Sequence, residues 1–558
     1  MNLSKSRNFM HYLKVLLDKS FLVCYNIHSV KKHKTKGEEV VKTTQKLTKI
    51  LLVLLALVMV LSTFAACTTE EDDPAATEAG SGNGEGGGEQ LDDGYQHGGK
   101  WDGWRLDANG YIMDRLPEEM NFGDEFVFLA DASQKSHFYA TEEDTAPVPA
   151  SLYARNTTVE ERLGISLVWK LETCGSKQIS AFNQLCETDV QTGHEYDCVT
   201  AYNLTPYYIA SKGYLLNLAS TTNIDLEAPW WPEEYLNSMM YKGQIYALVD
   251  NASVGTLGNM SCIFFNNTLL EDKGIESPYD LVEANNWTMP KLKELIKDTY
   301  YDKNGDGKAQ GGTGGDIYGL VTSTNARLTC WYYGAGLRFT TVNADGELVF
   351  NTDVEDATKR IDAVLDMFST DDSLITEPVS QYIMFKEELA YFYLSNVGLA
   401  TSMVNSNINI NYGVAPIPKM NSEQSRYYTH VPNTHESWYL LSSTQDEECS
   451  SAFIEAMASE SYRQVNPVYF ETNLKIRYAP DENLAQMYDL IRESITFDFA
   501  YLYKTVISSG LSSDLDKNVR NCLYSPQSYQ WATQWASIKD TVGSNFQNLL
   551  DIYAGNYQ

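Results

Sequence analysis

From about residue 120 the chain alternates short, continuous apolar runs with amphipathic stretches. Runs at 126–129, 196–200, 245–248, 262–265, 397–400 and 438–441 have the length and composition of buried strands. Between them, residues 356–368 place Ile361, Val364, Leu365 and Phe368 at helical spacing, one apolar face of a helix. Thr288 followed by Pro290 reads as a helix start, with a capping hydroxyl and a proline in the first turn. Strands and helices in alternation predict α/β layers with mostly parallel sheets. Ligands of such sheets bind beyond the carboxyl ends of the strands.

One apolar run is of a different kind. Residues 50–66 carry no charge and follow Lys42, Lys46 and Lys49. A basic lead, an apolar stretch and small residues before a cut describe a secretory signal. Phe64-Ala65-Ala66-Cys67 resembles the lipobox of bacterial lipoproteins, with Phe where Leu is usual. That resemblance implies lipid on Cys67 and cleavage before it. Residues 1–66 are therefore read as a signal peptide. Its first 40 residues exceed the usual 15–30 of such signals, and Val40 or Val41 after Lys36-Gly37-Glu38-Glu39 fits a later translation start. Residues 67–100 are Gly-rich and acidic, too polar to offset their chain entropy by burial, and read as a tether.

Charge sharpens this division. The 558 residues carry 42 Lys/Arg and 74 Asp/Glu, a formal net charge of −32. The 31 basic and 62 acidic residues of 100–558 give −31. An acidic surface excludes nucleic acid, whose phosphates are neutralised by Lys and Arg. Seven cysteines follow Cys67, an odd number, so at least one thiol is unpaired in an exported protein. Cys198 and Cys262 sit in apolar runs and are expected as buried thiols.

Metal and catalytic signals are sparse. Asp302, Asn304 and Asp306 followed by Gly307 match the start of a calcium loop, with the Lys308 backbone as a further ligand. Position 12 of that loop is Thr313, not the bidentate Glu. A structural calcium or a plain Gly/Asp turn both fit. The chain has no GxSxG, HExxH or Walker sequence. His430 and His435 are five apart, which is not helical ligand spacing. No enzyme is expected, although a pair of glycosidase carboxylates is a three-dimensional feature that a sequence does not display.

Several phrases occur in order: Tyr196-Asp197-Cys198-Val199, Gly213-Tyr214-Leu215-Leu216-Asn217-Leu218, Trp230-Trp231 and Lys242-Gly243-Gln244-Ile245-Tyr246-Ala247. Phe264-Phe265-Asn266-Asn267, Asn286-Trp287-Thr288, Asp316-Ile317-Tyr318-Gly319-Leu320 and Tyr412-Gly413-Val414-Ala415-Pro416-Ile417-Pro418 follow. Together, over 122–558, they resemble the family-1 extracellular solute-binding proteins, the maltose-binding-protein-like receptors of ABC importers. The resemblance implies a periplasmic-binding-protein-like α/β fold over 101–558. Lobe one would hold 122–255 and 412–475, and lobe two 256–411 and 476–558. A hinge would close the lobes on a solute, so the ligand must touch both.

A sugar offers apolar faces and hydroxyl edges, which call for aromatic plates and a few polar groups. The candidates are Tyr202 and Asn203 after the 196–200 run, Trp231 (of the pair Trp230-Trp231), and Asp250 and Ser253 at the first crossover. In lobe two they are Trp331, Tyr332 and Tyr333, and near the return Glu436 and Trp438. Asp131 and Ser133 follow the first strand. Trp101 and Trp104 precede the fold, as a cap on lobe one or as surface. The implied protein is a monomeric, lipid-anchored receptor on the extracytoplasmic face of the cell membrane. Its partners would be a small solute, foremost a saccharide, and ABC permease subunits. Rival readings are a glycan- or peptide-capture lipoprotein without a permease, and a glycoside hydrolase.

Overall fold

The computed structural model describes residues 94–558, except 124, 325–326, 478–481, 509–514 and 556–558. The segment expected to be a signal, Cys67 and nearly all of the expected tether lie outside the described residues. Among the described residues no helix is long and apolar enough to cross a membrane.

Thirteen strands are present among the described residues. The first three are β1 (Glu125–Asp131), β2 (Ser166–Glu172) and β3 (Cys198–Tyr202). Then come β4 (Ser261–Asn266), β5 (Tyr318–Ser323), β6 (Thr340–Val342), β7 (Leu348–Phe350), β8 (Ser373–Thr376) and β9 (Ala390–Asn396). The last are β10 (Tyr412–Ala415), β11 (Thr429–His430), β12 (Glu436–Tyr439) and β13 (Ile495–Thr496). Lobe one is built on the sheet β12-β3-β1-β2 and lobe two on the sheet β10-β4-β9-β5-β8. Both are mixed, with two of three ladders parallel in the first and two of four in the second. β1 pairs parallel with β2 and β3, and β12 pairs antiparallel with β3. In the second sheet β5 is parallel to β8 and β9, while β4 is antiparallel to β9 and β10.

The sheet pairing moves one expected boundary. The resemblance implies that residues 412–415 belong to lobe one, but β10 pairs Tyr412 with Asn266 and Ala415 with Ile263, inside the lobe-two sheet. The chain re-enters the lobe-one sheet only with β12, where Glu436 pairs with Tyr202. Two expected strands also differ. Residues 245–248 make a single bridge, Leu248 to Trp438, because Tyr241–Gln244 turns back on itself just before. The run at 397–400 is helical: it opens the helix Gly398–Asn405, and the buried strand is the preceding β9.

The helices follow local rules. Pro147–Leu163 has proline at its first position and ends at Gly164 with φ of 65°, the left-handed conformation glycine tolerates. Thr288 caps Met289–Leu295 by accepting from the Lys291 amide at 3.3 Å. Val354–Met367 is capped by Asp353 and buries Ile361 and Val364, with Leu365 and Phe368 packed partly against the core. The helix Glu447–Glu460 lies on lobe one against Pro147–Leu163, and Glu482–Glu493 packs on β10.

Trp101 and Trp104 serve as a cap. Trp104 is buried edge-on against Trp230 at 6.4 Å, with the Arg115 guanidinium 4.0 Å above its ring. Trp101 Nε1 donates to the Glu227 carbonyl at 2.8 Å. All seven cysteines from Cys174 onward are buried and none forms a disulfide.

Candidate functional site

A cavity of about 700 Å³ opens where the two lobes meet. Lobe one supplies the ends of its strands. A two-turn 3₁₀ helix after β1, Ala132–His137, gives Ser133, Gln134, Ser136 and His137. The first turns of Pro147–Leu163 and Gly175–Thr188 give Val148, Pro149, Gly175 and Ser176, and the end of β3 gives Tyr202. The crossover adds Val254, Gly258 and Asn259. Lobe two supplies Asn396 at the end of β9, and Gly398, Thr401, Ser402 and Asn405 from the next helix. Thr434 and Tyr469 complete the wall. The location beyond strand carboxyl ends is the one expected for an open α/β sheet.

Asp131 holds the lobe-one wall in place. Its Oδ1 accepts from the Ser133 amide at 2.9 Å, the Ser133 hydroxyl at 2.7 Å and the Cys174 amide at 2.9 Å. Its Oδ2 accepts from the Gly175 amide at 3.3 Å. One carboxylate thus ties the 3₁₀ turn to the next helix start. Asn259 does the same between lobes. Its Nδ2 donates to the carbonyls of Gly255 and Thr434, while its Oδ1 accepts from Thr434 Oγ1 at 2.6 Å and Asn396 Nδ2 at 3.3 Å.

Behind the wall lies a charged cluster. His137 Nδ1 meets Glu436 Oε2 at 2.8 Å. Burial alone would lower the His137 pKa, but the Glu436 and Asp131 carboxylates outweigh it and hold it above the usual 6.5. Burial would raise Glu436, and His137 holds it instead below the usual carboxylate value. Asp250 lies close by. Its Oδ1 accepts from the Ala252 amide at 2.6 Å and its buried Oδ2 has no partner. Burial pushes Asp250 up to about 7 against the pull of Arg155. The helix Val254–Gly258 crosses directly over Glu436: a Cβ on Gly255 would lie 2.0 Å from Glu436 Oε2, so only glycine fits.

The expected site residues separate into two groups. Tyr202 lines the cavity, its hydroxyl accepting from Asn433 Nδ2, and Ser133 lines it too. Glu436 stands one layer behind, through His137. The rest lie away from the wall. Asn203 is fully buried, sharing a 2.7 Å hydrogen bond with His435 Nε2. Trp231 donates from Nε1 to Glu455 at 3.2 Å inside lobe one. Trp438 stacks on Phe128 at 5.6 Å. Trp331 donates to Thr322 Oγ1 at 3.2 Å and packs edge-on against Phe368. Tyr332 donates to Asp516, and Tyr333 stacks on His430 at 4.6 Å. Ser253 caps the crossover helix. Each aromatic plate proposed for a sugar face, Tyr202 excepted, is thus spent on a core. An adjacent Trp pair or a Trp-Tyr-Tyr run is apolar enough to be drawn inside, and only the packing decides where it ends.

The calcium-type loop is exposed and bonds to itself. Asp302 accepts from the amides of Gly305 and Gly307 at 2.7 and 2.8 Å. Asn304 accepts from the Asp306 amide, and Asp306 from the Lys308 amide. Among the described residues no group of three His, Cys, Asp or Glu is placed to hold a metal. The side chains of Asp302, Asn304 and Asp306 act here as turn-forming acceptors of the kind Asx residues provide.

Gln134, His137, Asn259 and Asn396 were not singled out by sequence reasoning. The available clue was the position of Gln134 and His137, in the same short loop as Asp131 and Ser133, three residues apart.

No family model and no curated protein sequence matches the chain. Among solved structures the chain is similar to the maltose/maltodextrin-binding domain MalE from Bdellovibrio bacteriovorus bound to maltotriose. That match has 17% identity, covers 76% of this chain and 100% of that one, and has a TM-score of 0.47. It is similar to the GacH receptor of Streptomyces glaucescens, with 14% identity, coverage of 77% and 99%, and a TM-score of 0.48. It is also similar to the ABC substrate-binding protein Lmo0181 from Listeria monocytogenes in complex with cycloalternan, with 12% identity, coverage of 76% and 99%, and a TM-score of 0.47.

Proposed function

We propose that this protein is a receptor that captures a saccharide between its lobes and passes it to an ABC importer. The observation that carries the reading is the interlobe cavity, lined from both sheets and from the crossover. A ligand there contacts both lobes at once, so its binding energy favours the closed arrangement. The wall suits a hydroxylated solute. Serines, threonines and asparagines supply donors and acceptors, and Tyr202 supplies a flat face. The family resemblance of the sequence supports the transport role, and the lipobox at Cys67 supports a membrane anchor facing away from the cytoplasm.

Thermal-shift screening of the purified chain against saccharides and peptides tests this. A ligand at 100 times its dissociation constant stabilises by about 2.7 kcal/mol. Saccharides are expected to raise the melting temperature. Stabilisation by peptides and by no saccharide would overturn the saccharide reading. Globomycin-sensitive processing and radiolabelled palmitate on Cys67 test the anchor, and pull-down of permease subunits tests the importer.

A further inference from the structure

Residues 100–558 hold 62 acidic side chains, yet among the described residues none lies on the wall of the interlobe cavity. Among the described residues the wall has, apart from two tyrosines, one ionisable side chain, His137. Two helices begin there: Pro147–Leu163 has no capping side chain, and Gly175–Thr188 has none from its own N-cap residue, its Gly175 amide bonding to Asp131 instead. A helix start carries partial positive charge. An independent observation lies beside them. Gln134 is 6% exposed, lines the cavity, and its Oε1 has no partner. His137 follows one 3₁₀ turn later, and residues three apart on such a turn eclipse, so both face the same way. His137 uses Nδ1 on Glu436, and among the described residues no protein group bonds to its Nε2.

We propose that the cleft selects an acidic saccharide, a uronate-bearing sugar whose carboxylate sits between the Gln134 amide and His137 Nε2. The proposal rests on the saccharide reading above and names its class. Oε1 is the buried end of the Gln134 amide, so its NH₂ is the end left to donate to a carboxylate oxygen. With Nδ1–H given to Glu436, the proton that titrates is the one on Nε2. The imidazolium donates from Nε2 to the ligand, whereas the neutral ring presents a lone pair that a carboxylate repels. Glu436 is a positioning residue.

The charged groups around His137 are few. Glu436 faces it from β12 and Asp131 from the end of β1, and both favour the charged ring. Asp131 is otherwise committed to its four donors. Behind Glu436 stand His435, kept neutral by burial with a pKa of about 4, Asp250 near 7, and Arg155, bonded to Ser461 and the Phe138 carbonyl. The His137 pKa is raised above 6.5, so protonation and carboxylate binding support each other near neutral pH and both fade in alkali.

Titration calorimetry of the full chain tests this with di- and trimers of galacturonate and glucuronate against their neutral galactose and glucose counterparts. At pH 6.5 the uronates are expected to bind at least about tenfold more tightly, as a charge-assisted pair provides. That preference should shrink about tenfold by pH 9. His137→Gln should abolish the pH dependence, and Gln134→Leu should weaken uronates more than neutral sugars. Glu436→Gln should move the midpoint of the pH profile down while binding persists. If His137→Gln does not fold, the Gln134→Leu comparison decides alone. Neutral sugars bound as tightly as uronates would overturn the acidic class and leave the saccharide reading standing. A uronate preference untouched by either cleft variant would place the carboxylate elsewhere and also overturn the proposal. Binding of no saccharide of either kind would overturn both readings.

Discussion

The two lobes touch through two kinds of contact. At the cavity they face each other across Ser133, Ser176, Asn396 and Ser402, with Gln134 left unsatisfied. Along the C-terminal helices they press aromatic rings together. Tyr207 of lobe one meets Tyr503 at 4.9 Å, Tyr235 meets Phe497 at 5.0 Å and Tyr246 meets Tyr553 at 4.8 Å. Phe499 stacks on Tyr503 at 4.5 Å, and the Tyr503 and Tyr553 hydroxyls bond at 2.6 Å. The helix Trp531–Tyr553 that carries Tyr553 also packs on Val354–Met367 in lobe two. Aromatic area buried without a ligand makes a permanent joint, and polar groups left open make a reversible one. The tyrosines and tryptophans that suggested sugar plates are largely the material of the permanent joint and of the lobe cores.

The comparison breaks most visibly at the joint. Phe499→Ala is expected to cost about 3–5 kcal/mol, the range for a large buried aromatic, measured by guanidinium unfolding. Ligand affinity of the molecules that remain folded should change little. Trp331→Ala should cost a similar amount, again about 3–5 kcal/mol, with saccharide affinity within about twofold of the parent. A tenfold loss of affinity at constant stability would return Trp331 to the cleft.

Smaller effects test the cluster behind the wall. Gly255→Ala puts a methyl group against the Glu436 carboxylate and is expected to cost about 1–3 kcal/mol by overpacking. Because Glu436 must then shift, the ligand pH profile should move with it. Asp250→Asn acts through protonation. The unfolded carboxyl ionises from about pH 4, while the folded one keeps its proton up to about 7. The folded state therefore binds more protons over that window, and Asp250 makes stability fall as pH rises from about 4 to about 7. The Asn variant should lose that slope and be more stable than the parent at pH 8 by about 1–3 kcal/mol. Chemical unfolding at a series of pH values reads it; an unchanged slope would reassign the titration. The smallest expected effect is at the 302–308 loop, whose side-chain acceptors already serve its own amides. Millimolar calcium should leave the melting temperature unchanged.

Much of the architecture was legible in short apolar runs. Residues 126–129 and 262–265 lie inside β1 and β4, and Thr288 and Val354–Met367 stand where capping and spacing rules put helix features. Errors came where local signals are degenerate. The run at 397–400 is apolar as a strand would be, yet it is helical because β9 had already filled that place in the sheet. Residues 412–415 follow lobe two in sequence and also pair with it, a long-range choice that period alone does not encode. At the cavity, Tyr202 and Ser133 were legible from their place after strands, but the pairing of His137 with Glu436, 299 residues away, was not.

The sequence by itself determined the class of the elements, the acidic character beyond Lys100 and the family resemblance. These depend on composition, on neighbours a few residues apart, or on the order of phrases along the chain. Tertiary structure alone decided which tryptophans are core, which carboxylates stand behind a histidine, and that an acidic chain places no acid on its cavity wall among the described residues. Those outcomes depend on which distant segments share a small volume, where burial and unpaired hydrogen bonds cost energy that no local pattern records.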